Sequence, residues 1–506
     1  MPEPPVGSHV PLSDVTNDPG AVFPLDRTTE PIAAIILAAG KSTRMRSKMP
    51  KPLHPVCGIP MTAHVIRACR AAGVGRIVVV IGHEADAVRA GLGPDVEYVL
   101  QVTQRGTGDA VRSAQPLLED WRGSILVLAG DIPLMSGETL HDLIAHHFTT
   151  GADATLLTAI LDQPTGYGRI VRDDGNRVGR IVEEKDASEA ERAIKECNPS
   201  IYAFKAPALW SSLADVRPIN AQGEFYLTDT IELLAKQGAH LEAVTVRDYR
   251  DVLGVNTRVE LAGTATILRE RILTKLMLSG VSITDPSSTY IEADVEIGQD
   301  TVIEPNTFLM GKTRIGEDCV LGPLTRIENS TLGNAVRVLA SQVVESVLED
   351  GVKVGPFSNL RARTHLGPRV KIGDFVETKN ARFEEGAQAS HLSYIGDAEI
   401  GARTNIGAGV ITCNYDGYRK HRTVIGKGAF IGSNSTLIAP ITIGDGVFIA
   451  AGSPIPKNVP ADAMVIARSH PTVKEGWAAE YRASQSATLK DAEKKEKSGE
   501  GAKAAE

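Results

Sequence analysis

Aliphatic residues recur at every sixth position through long stretches of the C-terminal half of this chain. The two clearest runs occupy Ile297, Ile303, Leu309, Ile315, Leu321 and Ile327, and Ile425, Ile431, Leu437, Ile443, Ile449 and Ile455. A fixed short period of this kind indicates a parallel β-helix, in which each turn stacks its aliphatic side chains on the turn below. Because one repeat cannot bury its apolar face alone, the length of these runs makes the prediction specific.

The whole chain has 506 residues, which is too many for a single hydrophobic core. Before the repeats, apolar strand-like runs alternate with amphipathic helix patterns, which predicts a mostly parallel, doubly wound α/β sheet. An apolar stripe of helical period then predicts a connecting helix. The predicted parts are a flexible extension (1–30), the α/β domain (31–256), a linker helix (257–280), the β-helix (281–476) and a charged, disordered or weakly helical tail (477–506).

Charge and cysteine content narrow the class of protein. The net charge is −8, so no overall positive field attracts nucleic acid. The five cysteines are scattered, without the spacing of metal ligands, which fits a reducing, cytoplasmic setting. Neither an apolar run of about 18 residues nor a signal peptide is found, so we expect no membrane association.

The first predicted strand ends in a loop of small and basic residues, from Leu37 to Met45. Small residues let backbone N–H groups approach phosphates, and Lys41 and Arg44 add positive charge. The loop is not a P-loop, because position 35, where that motif needs glycine, is Ile. On this loop alone, a phosphate site and an ordinary turn with solvated basic residues are equally good interpretations.

Seven ordered motifs over about 220 residues resemble the sugar-1-phosphate nucleotidyltransferases. They are Leu37–Met45, Met49–Leu53, Gln101 with Gln104–Ala110, Gly130–Leu134, Thr165–Ile170 with Ile181–Asp186, Asn220–Asp229 and Gly254–Asn256. Transfer to the α-phosphorus of a nucleoside triphosphate gathers negative charges, so positioning and charge neutralisation dominate the chemistry.

This resemblance implies roles for individual residues. It implies that Asp131 and Asn256 hold one or more Mg²⁺ ions, which prefer oxygen ligands. It assigns Arg44 and Lys51 to phosphates, Gln101 with the Gly106–Thr107 backbone to the uracil edge, and Gly168, Glu183 and Asn198 to the sugar. The complete set implied for UTP or UDP-N-acetylglucosamine is Leu37, Ala38, Gly40, Arg44, Lys51, Gln101, Gly106, Thr107, Gly168, Glu183, Asn198 and Asn256.

The six-residue period breaks at about 376–394 and again at 408–424. Polar and charged side chains gather at both breaks, and loops on a rigid scaffold often carry function. Acetylation of an amine by a thioester needs a base, for which His391 is a candidate. An anionic substrate also needs cations, and Arg361, Lys379 and Lys420 are candidates.

The segments around these breaks resemble the family of bifunctional N-acetylglucosamine-1-phosphate uridyltransferases / glucosamine-1-phosphate N-acetyltransferases. They include Val354–Phe357, Phe375–Lys379, Ser390–Tyr394, Gly396–Gly401, Asn405–Gly409 and Thr412–Gly417, and the likeness covers roughly residues 32–477. It implies a left-handed β-helix of hexapeptide repeats with His391 as the proton acceptor. It further implies glucosamine 1-phosphate contacts from Arg361, Lys379, Tyr394 and Asn405, and acetyl-CoA contacts from Lys420, Asn414, Tyr415, Ser433, Ala451 and Arg468.

The family likeness implies a cytoplasmic enzyme that makes UDP-N-acetylglucosamine for peptidoglycan and lipid A precursors. Acetyl-CoA would acetylate glucosamine 1-phosphate, and UTP would then react with the N-acetylglucosamine 1-phosphate. The likeness also implies a homotrimer, with acetyl-transfer sites at subunit boundaries. Two alternatives are a monofunctional nucleotidyltransferase with a β-helix scaffold, which would not need His391 and its basic neighbours, and a non-enzymatic sugar-nucleotide sensor.

Four positions depart from the family pattern, and the first is Ser42, in the loop after the first predicted strand, where glycine is usual. Pro199 and Ser200 follow Asn198 where Thr and Gly are usual, and proline removes a backbone N–H. Asn359 stands where an arginine is usual, so either Arg363 compensates for it or the sugar phosphate binds more weakly. We therefore expect the local backbone at the sugar contact and the phosphate contact on the β-helix to differ from those of relatives.

Overall fold

A computed structural model describes residues 31–41, 43–469 and 471–497 of the protein. The extension predicted for residues 1–30 and the end of the predicted tail lie outside the described residues. The described chain forms an α/β domain, a long helix, a β-helix and a final helix.

The α/β domain is built on one sheet. Its strands are β1 (Ile32–Ala38), β4 (Arg76–Ile81), β5 (Glu97–Leu100), β6 (Ser124–Ala129), β7 (Ala154–Ile160), β8 (Gly168–Arg172), β9 (Val178–Val182), β10 (Glu196–Asn198), β11 (Ile201–Lys205) and β12 (Leu241–Thr245), while β2 (Pro55–Val56) and β3 (Ile59–Pro60) form a separate hairpin. The order is β5-β4-β1-β6-β11-β7-β10-β8-β9, with β12 beside β7. Strands β5, β4, β1 and β6 are parallel, as predicted, whereas β8 to β11 join antiparallel, so the sheet is mixed.

Helices cover both faces of this sheet. They are α1 (Met61–Ala71), α2 (Ala85–Leu92), α3 (Thr107–Leu118), α4 (Gly137–Thr150), α5 (Glu189–Arg192), α6 (Ala206–Asp215) and α7 (Asp229–Lys236), with short 3-10 turns at Thr43–Met45, Lys51–Leu53 and Tyr249–Val252. Two separate apolar cores lie on the two sides. The central strands are buried on both faces, which explains their nearly continuous Ile, Val and Leu.

The predicted linker is a 21-residue helix, α8 (Arg258–Leu278). It begins with a capping box, in which Thr257 accepts from the backbone N–H of Glu260 and Glu260 accepts from that of Thr257. Its C-terminal part packs against the β-helix core through Ile272, Leu273 and Leu276. The helix therefore reaches from the α/β domain to the first turns of the β-helix.

The β-helix is confirmed as stacked parallel strands. One face is a sheet of β13 (Ser282–Ile283), β16 (Val302–Ile303), β19 (Val320–Leu321), β22 (Arg337–Val338), β25 (Lys353–Val354), β28 (Lys371–Asp374), β30 (Gln388–His391), β32 (Asn405–Ile406), β35 (Phe430–Ile431), β38 (Phe448–Ile449) and β40 (Met464–Val465). In the first turns, strands eighteen residues apart pair in register, for instance Ile297 with Ile315, as three six-residue repeats per turn require.

The other two faces join into a second sheet. Its strands are β14 (Tyr290–Ile291), β15 (Glu296–Ile297), β17 (Phe308–Met310), β18 (Arg314–Ile315), β20 (Arg326–Glu328), β21 (Thr331–Leu332), β23 (Gln342–Val344), β24 (Val347–Leu348), β26 (Asn359–Leu360), β27 (His365–Leu366), β29 (Glu377–Phe383), β31 (Tyr394–Ile400), β33 (Ile411–Cys413), β34 (Thr423–Ile425), β36 (Thr436–Ile438), β37 (Ile441–Ile443) and β39 (Pro454–Ile455). The repeated aliphatic side chains fill one continuous core.

The two breaks in the six-residue period have different structures. In the first, at 376–394, the turn is one residue shorter than the eighteen of the first turns, since Leu366 pairs with Phe383 and Ile372 with Ala389, and buried Thr378 takes an inward position that aliphatic residues occupy elsewhere. The second contains a loop that projects from the β-helix and is closed by a bridge between Tyr415 and Lys420. The first break is therefore a shortened turn, and the second is a true loop.

After the β-helix, helix α9 (Trp477–Lys497) occupies the first part of the predicted tail. Its residues from Trp477 to Lys494 are exposed, and Trp477 stacks on Tyr481. None of the helices in the described part of the chain is long and apolar enough to cross a membrane.

Two candidate active sites

The first candidate site lies at the carboxyl ends of β1 and β6. These parallel neighbours end at the Leu37–Met45 loop and at Asp131, and open α/β sheets bind ligands at this edge. The backbone N–H of Gly130 donates to the carbonyl of Leu37 at 2.9 Å. The two loops are therefore held side by side, with Leu37 and Ala38 partly or wholly buried beneath them.

Four predicted site residues meet directly at this edge. Lys51 Nζ donates to Asp131 Oδ2 and, at 2.9 Å, to Asn256 Oδ1. Arg44 donates to the same Asn256 oxygen at 2.9 Å. One ammonium group thus contacts both predicted metal-binding oxygens, so a carboxylate and an amide oxygen converge closely enough for one cation to touch both. Oxygen donors of these types suit a hard divalent ion, so the residues fit the implied metal.

The residues predicted to read the base lie beside β5 and at the start of α3. Gln101 is buried, and its Nε2 donates to the carbonyl oxygen of Gly106 at 3.3 Å. Thr107 begins α3, and its hydroxyl accepts from the backbone N–H of Leu227 at 3.0 Å. These contacts fix the loop from 101 to 107 against the segment that follows Phe225.

The predicted sugar contacts come together on β8 to β10. Asn198 pairs with Gly168 across two antiparallel strands. A Cβ on Gly168 would lie 3.0 Å from Ile181 Cγ2 and 3.6 Å from both Glu183 Oε2 and the Asn198 Cβ, so Gly168 lies between the other two predicted sugar contacts. Burial raises the pKa of Glu183, although Thr228 donates to its carboxylate at 3.2 Å.

The departure after Asn198 has a structural consequence. Ser200 adopts a φ of 61°, a left-handed conformation that glycine tolerates better. Its backbone N–H donates to Asn198 Oδ1 at 3.2 Å, and Asn198 Nδ2 donates to the Tyr202 hydroxyl at 2.7 Å. Asn198 is thereby kept opposite Gly168 despite Pro199.

Two neighbours of Glu183, Thr228 and Tyr226, were not predicted from the sequence to be site residues. Thr228 orients the Glu183 carboxylate, and the buried hydroxyl of Tyr226 has no hydrogen-bond partner among the described residues. Burial, and then the nearby Asp186 and Glu183, raise the pKa of Tyr226 to about 12. Both residues belong to the Asn220–Asp229 motif, which is the sequence signal that points to them.

The second candidate site surrounds a corner of the β-helix. His391 is exposed at the end of β30, in register with Asp374. Its backbone carbonyl accepts from the Ser393 hydroxyl at 2.9 Å, so the main chain is anchored while the imidazole stays accessible.

The predicted cations of this site lie close together. The ammonium group of Lys420, and then the guanidinium of Arg361, lower the pKa of Lys379. Arg361 also pairs with Glu377 at 2.7 Å. Like charges held together on an exposed surface repel one another, so the cluster favours binding of an anion.

Two further predicted residues, Asn414 and Asn405, lie in different parts of the β-helix. Asn414 Nδ2 lies 3.5 Å from the Tyr394 hydroxyl and donates to Asp397 at 2.5 Å, which places it beside the cations. Asn405 lies on another face, paired with Gln388 and Phe430, and its side chain has no hydrogen bond to the described residues. It is therefore not joined to the cations by direct bonds within one chain.

The residues predicted for acetyl-CoA form a column along successive turns. The backbone N–H of Gly452 donates to the carbonyl of Ser433 at 2.8 Å, which stacks Ala451 next to Ser433. Arg468 donates to the carbonyl of Ala451 at 3.3 Å. Tyr415 and Lys420 form a β-bridge in the loop that projects from the β-helix.

Comparison with known proteins gives matches to both halves. Residues 34–194 match the MobA-like NTP transferase domain, and residues 422–455 match the bacterial transferase hexapeptide repeats. A relative named bifunctional protein GlmU from Brevibacillus brevis is 50% identical over 447 residues, covering 88% of this chain and 97% of the relative. Proteins of the same name from a Geobacillus species and from Staphylococcus haemolyticus are each 49% identical, covering 88% of this chain and 97% and 98% of the relatives.

The chain belongs to the bifunctional GlmU family. The resemblance predicted from the motifs is confirmed, as is the fold class. The protein is a bifunctional transferase that acetylates glucosamine 1-phosphate and transfers uridylyl from UTP to N-acetylglucosamine 1-phosphate. The monofunctional alternative is not favoured, because these relatives align across both halves.

GlmU enzymes use a divalent metal ion and acetyl-CoA. Their substrates are a nucleotide and sugar phosphates, and hexapeptide repeats indicate oligomerisation. The domain boundaries and the role of each site residue stay predictions.

Proposed function

We propose that His391 is the general base of acetyl transfer in this GlmU. The amine of glucosamine 1-phosphate attacks the thioester carbonyl and His391 accepts the amine proton. The amide C–N bond forms as the C–S bond breaks, and the proton passes from His391 to the departing sulfur, so that coenzyme A leaves as its thiol. The position of His391 at the corner, exposed on an anchored backbone, supports this role.

In the same site, Arg361 and Lys379 bind the phosphate of glucosamine 1-phosphate. Tyr394 and Asn405 complete the sugar contacts, and a homotrimer supplies Asn405 from a neighbouring subunit. The clustering of the cations around Lys379 supports the first assignment. The separation of Asn405 from them within one chain supports the second. Arg363 substitutes for the arginine absent at Asn359.

Acetyl-CoA binds along the column that starts at the protruding loop. Lys420, Asn414 and Tyr415 contact it from the loop, and Ser433, Ala451 and Arg468 contact it from successive turns. The hydrogen bonds that stack the last three residues support a continuous binding surface.

In the uridyltransferase site, Asp131 and Asn256 hold Mg²⁺, and Arg44 and Lys51 neutralise the phosphates of UTP. The ion, when bound, polarises the α-phosphate oxygens and offsets their charge. The backbone from Leu37 to Gly40 supports the phosphates, and Gln101 with the Gly106–Thr107 backbone binds uracil. Gly168, Glu183 and Asn198 orient the sugar phosphate so that its oxygen attacks the α-phosphorus and pyrophosphate leaves.

The observation that carries the uridyltransferase assignment is the contact of Lys51 with both Asp131 and Asn256. A positive group at that point, between two oxygens from separate loops, is the arrangement that phosphoryl transfer needs. The five cysteines are all unpaired, which supports the cytoplasm as the compartment.

The test is a pair of assays on purified variants. His391→Asn is expected to lower CoA release with glucosamine 1-phosphate by about 100-fold or more while pyrophosphate release from UTP is unchanged. Asp131→Asn is expected to lower pyrophosphate release by about 100-fold or more and to leave CoA release unchanged.

Matched controls are His365→Asn, on another part of the β-helix, and Asp174→Asn, in an exposed turn of the α/β domain. Both should keep both activities. Retention of pyrophosphate release by Asp131→Asn would overturn the metal assignment, and retention of CoA release by His391→Asn would overturn the base assignment. Titration of activity with Mg²⁺, Mn²⁺ and Ca²⁺ tests the choice of ion.

A further inference from the structure

The side-chain amide of Gln101 is held by two groups that only accept hydrogen bonds. Its Nε2 donates to Asp109 Oδ2 at 2.9 Å and to the carbonyl oxygen of Gly106 at 3.3 Å. A carboxylate and a carbonyl cannot donate, so only the nitrogen end of the amide can face them. The oxygen Oε1 points away from both, and no side chain or backbone N–H in the described chain donates to it.

Asp109 is buried and held in place by hydrogen bonds. It lies in the first turn of α3, where the helix dipole favours a carboxylate, and only 7% of it is exposed. Its second oxygen accepts from Arg105 at 3.0 Å, so both carboxylate oxygens are engaged. Gln101 itself is 4% exposed, which leaves its amide little room to move.

The loop between these two residues is equally constrained. Gly106 has a φ of 111°, and a Cβ there would lie 2.5 Å from the carbonyl oxygen of Phe225. Glycine is therefore required for the chain to pass so close to Phe225, and the Gly106 carbonyl is fixed where Gln101 reaches it.

The orientation of this amide has a direct consequence for the base. Uracil presents an N3–H donor between two carbonyl oxygens, and an acceptor such as Gln101 Oε1 matches that donor. Cytosine presents a bare N3 acceptor beside an amino group, so Oε1 would face another acceptor. An amide that was free to turn over could instead donate to cytosine N3 at little cost.

We propose that Asp109 is a positioning residue that sets the base specificity of uridylyl transfer. By accepting from Gln101 Nε2, it keeps Gln101 Oε1 as the acceptor that faces the pyrimidine, and the enzyme selects uridine over cytidine triphosphate. This inference rests on the proposed role of Gln101 in reading the base.

Asp109→Asn tests the proposal with almost no change of shape. The asparagine can donate to Gln101 as well as accept from it, so both amide orientations become possible. The ratio of kcat/KM for UTP to that for CTP should fall about tenfold or more, through a gain with CTP as well as a loss with UTP. Acetyl transfer in the same preparation should be unchanged, which controls for the amount of enzyme, and an unchanged thermal unfolding transition shows that the α/β domain is folded.

Two further variants separate the possible outcomes. Asp174→Asn removes the same charge from an exposed turn and should leave the ratio unchanged, whereas Gln101→Ala should lower it. Suppose that Asp109→Asn lowers kcat/KM equally for UTP and CTP while Gln101→Ala lowers the UTP-to-CTP ratio. Asp109 then has only a structural role, and the inference fails while the proposed base contact of Gln101 stands. If Gln101→Ala leaves the ratio unchanged, the proposed base contact of Gln101 fails, and the inference fails with it.

Discussion

At the scale of single residues, Asp229 shows two opposing effects on one carboxyl group. It is the first residue of α7, where the helix dipole favours negative charge. Burial, and then the neighbouring Glu232 and Asp186, nevertheless raise its pKa to about 6. Desolvation and like charges therefore outweigh the dipole, and the ionised group destabilises the fold.

This balance predicts a pH-dependent effect of Asp229→Asn. Because the folded-state pKa is raised, the contribution of Asp229 to the free energy of unfolding falls as pH rises from about 4 to about 6 and stays low above that. The stability of the variant relative to the parent should therefore increase by about 1 kcal/mol between about pH 5 and about pH 8, after screening by solvent at this partly buried side chain. Thermal unfolding at the two pH values measures the change.

Asp174→Asn is the matched control for this measurement. Asp174 is exposed, and its substitution should produce the same small difference at both pH values. A gain for Asp229→Asn that does not grow with pH would contradict the raised pKa as its cause.

At the scale of elements, the first turn of α8 connects three segments of the uridyltransferase site. Glu260 accepts from the backbone N–H of Asn256 at 2.6 Å, which fixes the predicted metal-binding residue. Arg258 donates to the carbonyl of Met45 and to His54 Nδ1, both at 3.3 Å. It thereby ties the segment after Arg44 to the segment after Lys51.

His54 makes this arrangement sensitive to charge. The residue is 2% exposed, and its Nε2 has no hydrogen-bond partner among the described residues. Burial, and then Arg258, lower its pKa, so the imidazole is neutral and can accept from the guanidinium. Removal of Arg258 would raise the pKa of His54, because one of the two causes that lower it is lost.

We expect Arg258→Ala to lower kcat/KM for uridylyl transfer by about tenfold and to leave acetyl transfer unchanged. The acidic limb of the uridylyl-transfer pH profile should also move to higher pH, because His54 then becomes protonated more readily. Steady-state kinetics between about pH 5 and about pH 8 would measure both effects.

Arg269→Ala is the control within the same helix. Arg269 stacks on Tyr290 at 4.5 Å, more than two turns away from the site. If it lowers uridylyl transfer as strongly as Arg258→Ala does, the effect belongs to the whole helix rather than to its first turn.

At the scale of the whole molecule, one edge of the β-helix carries exposed apolar side chains on several turns. This apolar corner consists of Leu324, Phe357, Phe375 and Leu392, all with φ between 49° and 58°. Phe357 and Phe375 stack at 5.4 Å, and Leu392 directly follows His391. Exposed apolar patches on this scale mark interfaces, so we expect a second copy of the chain to cover this corner next to the acetyl-transfer site.

The expectation is tested with the double variant Phe357→Asn and Phe375→Asn. Asparagine removes the apolar surface but tolerates the left-handed backbone, so folding should survive. Sedimentation should show loss of the proposed trimer, and CoA release should fall about tenfold or more, since a site shared between subunits is incomplete in a monomer. Pyrophosphate release should persist.

The matching control replaces Tyr290 and Phe308, which also stack, at 5.0 Å, on the first turns. Their change to asparagine should leave the trimer intact. A trimer that survives loss of Phe357 and Phe375 would place the subunit contact elsewhere.

Much of the architecture could be predicted because it depends on residues that are close together in the sequence. The six-residue period required stacked turns, since no other arrangement buries an aliphatic side chain at every sixth position. The strand–helix alternation likewise predicted the doubly wound domain. The antiparallel β8 to β11 were not predicted, because strand direction depends on pairing between distant segments, which the local pattern does not contain.

The fold class, the family resemblance and the residue types available for chemistry all follow from the amino-acid sequence. Which of these residues meet depends on the packing of distant segments. Lys51 reaches Asn256 across 205 positions, and the carboxylate that fixes the Gln101 amide lies in the first turn of α3. Asn405, by contrast, lies on a separate face from Lys379. Periodicity and motifs are local, whereas such contacts arise only when packing brings separate elements together.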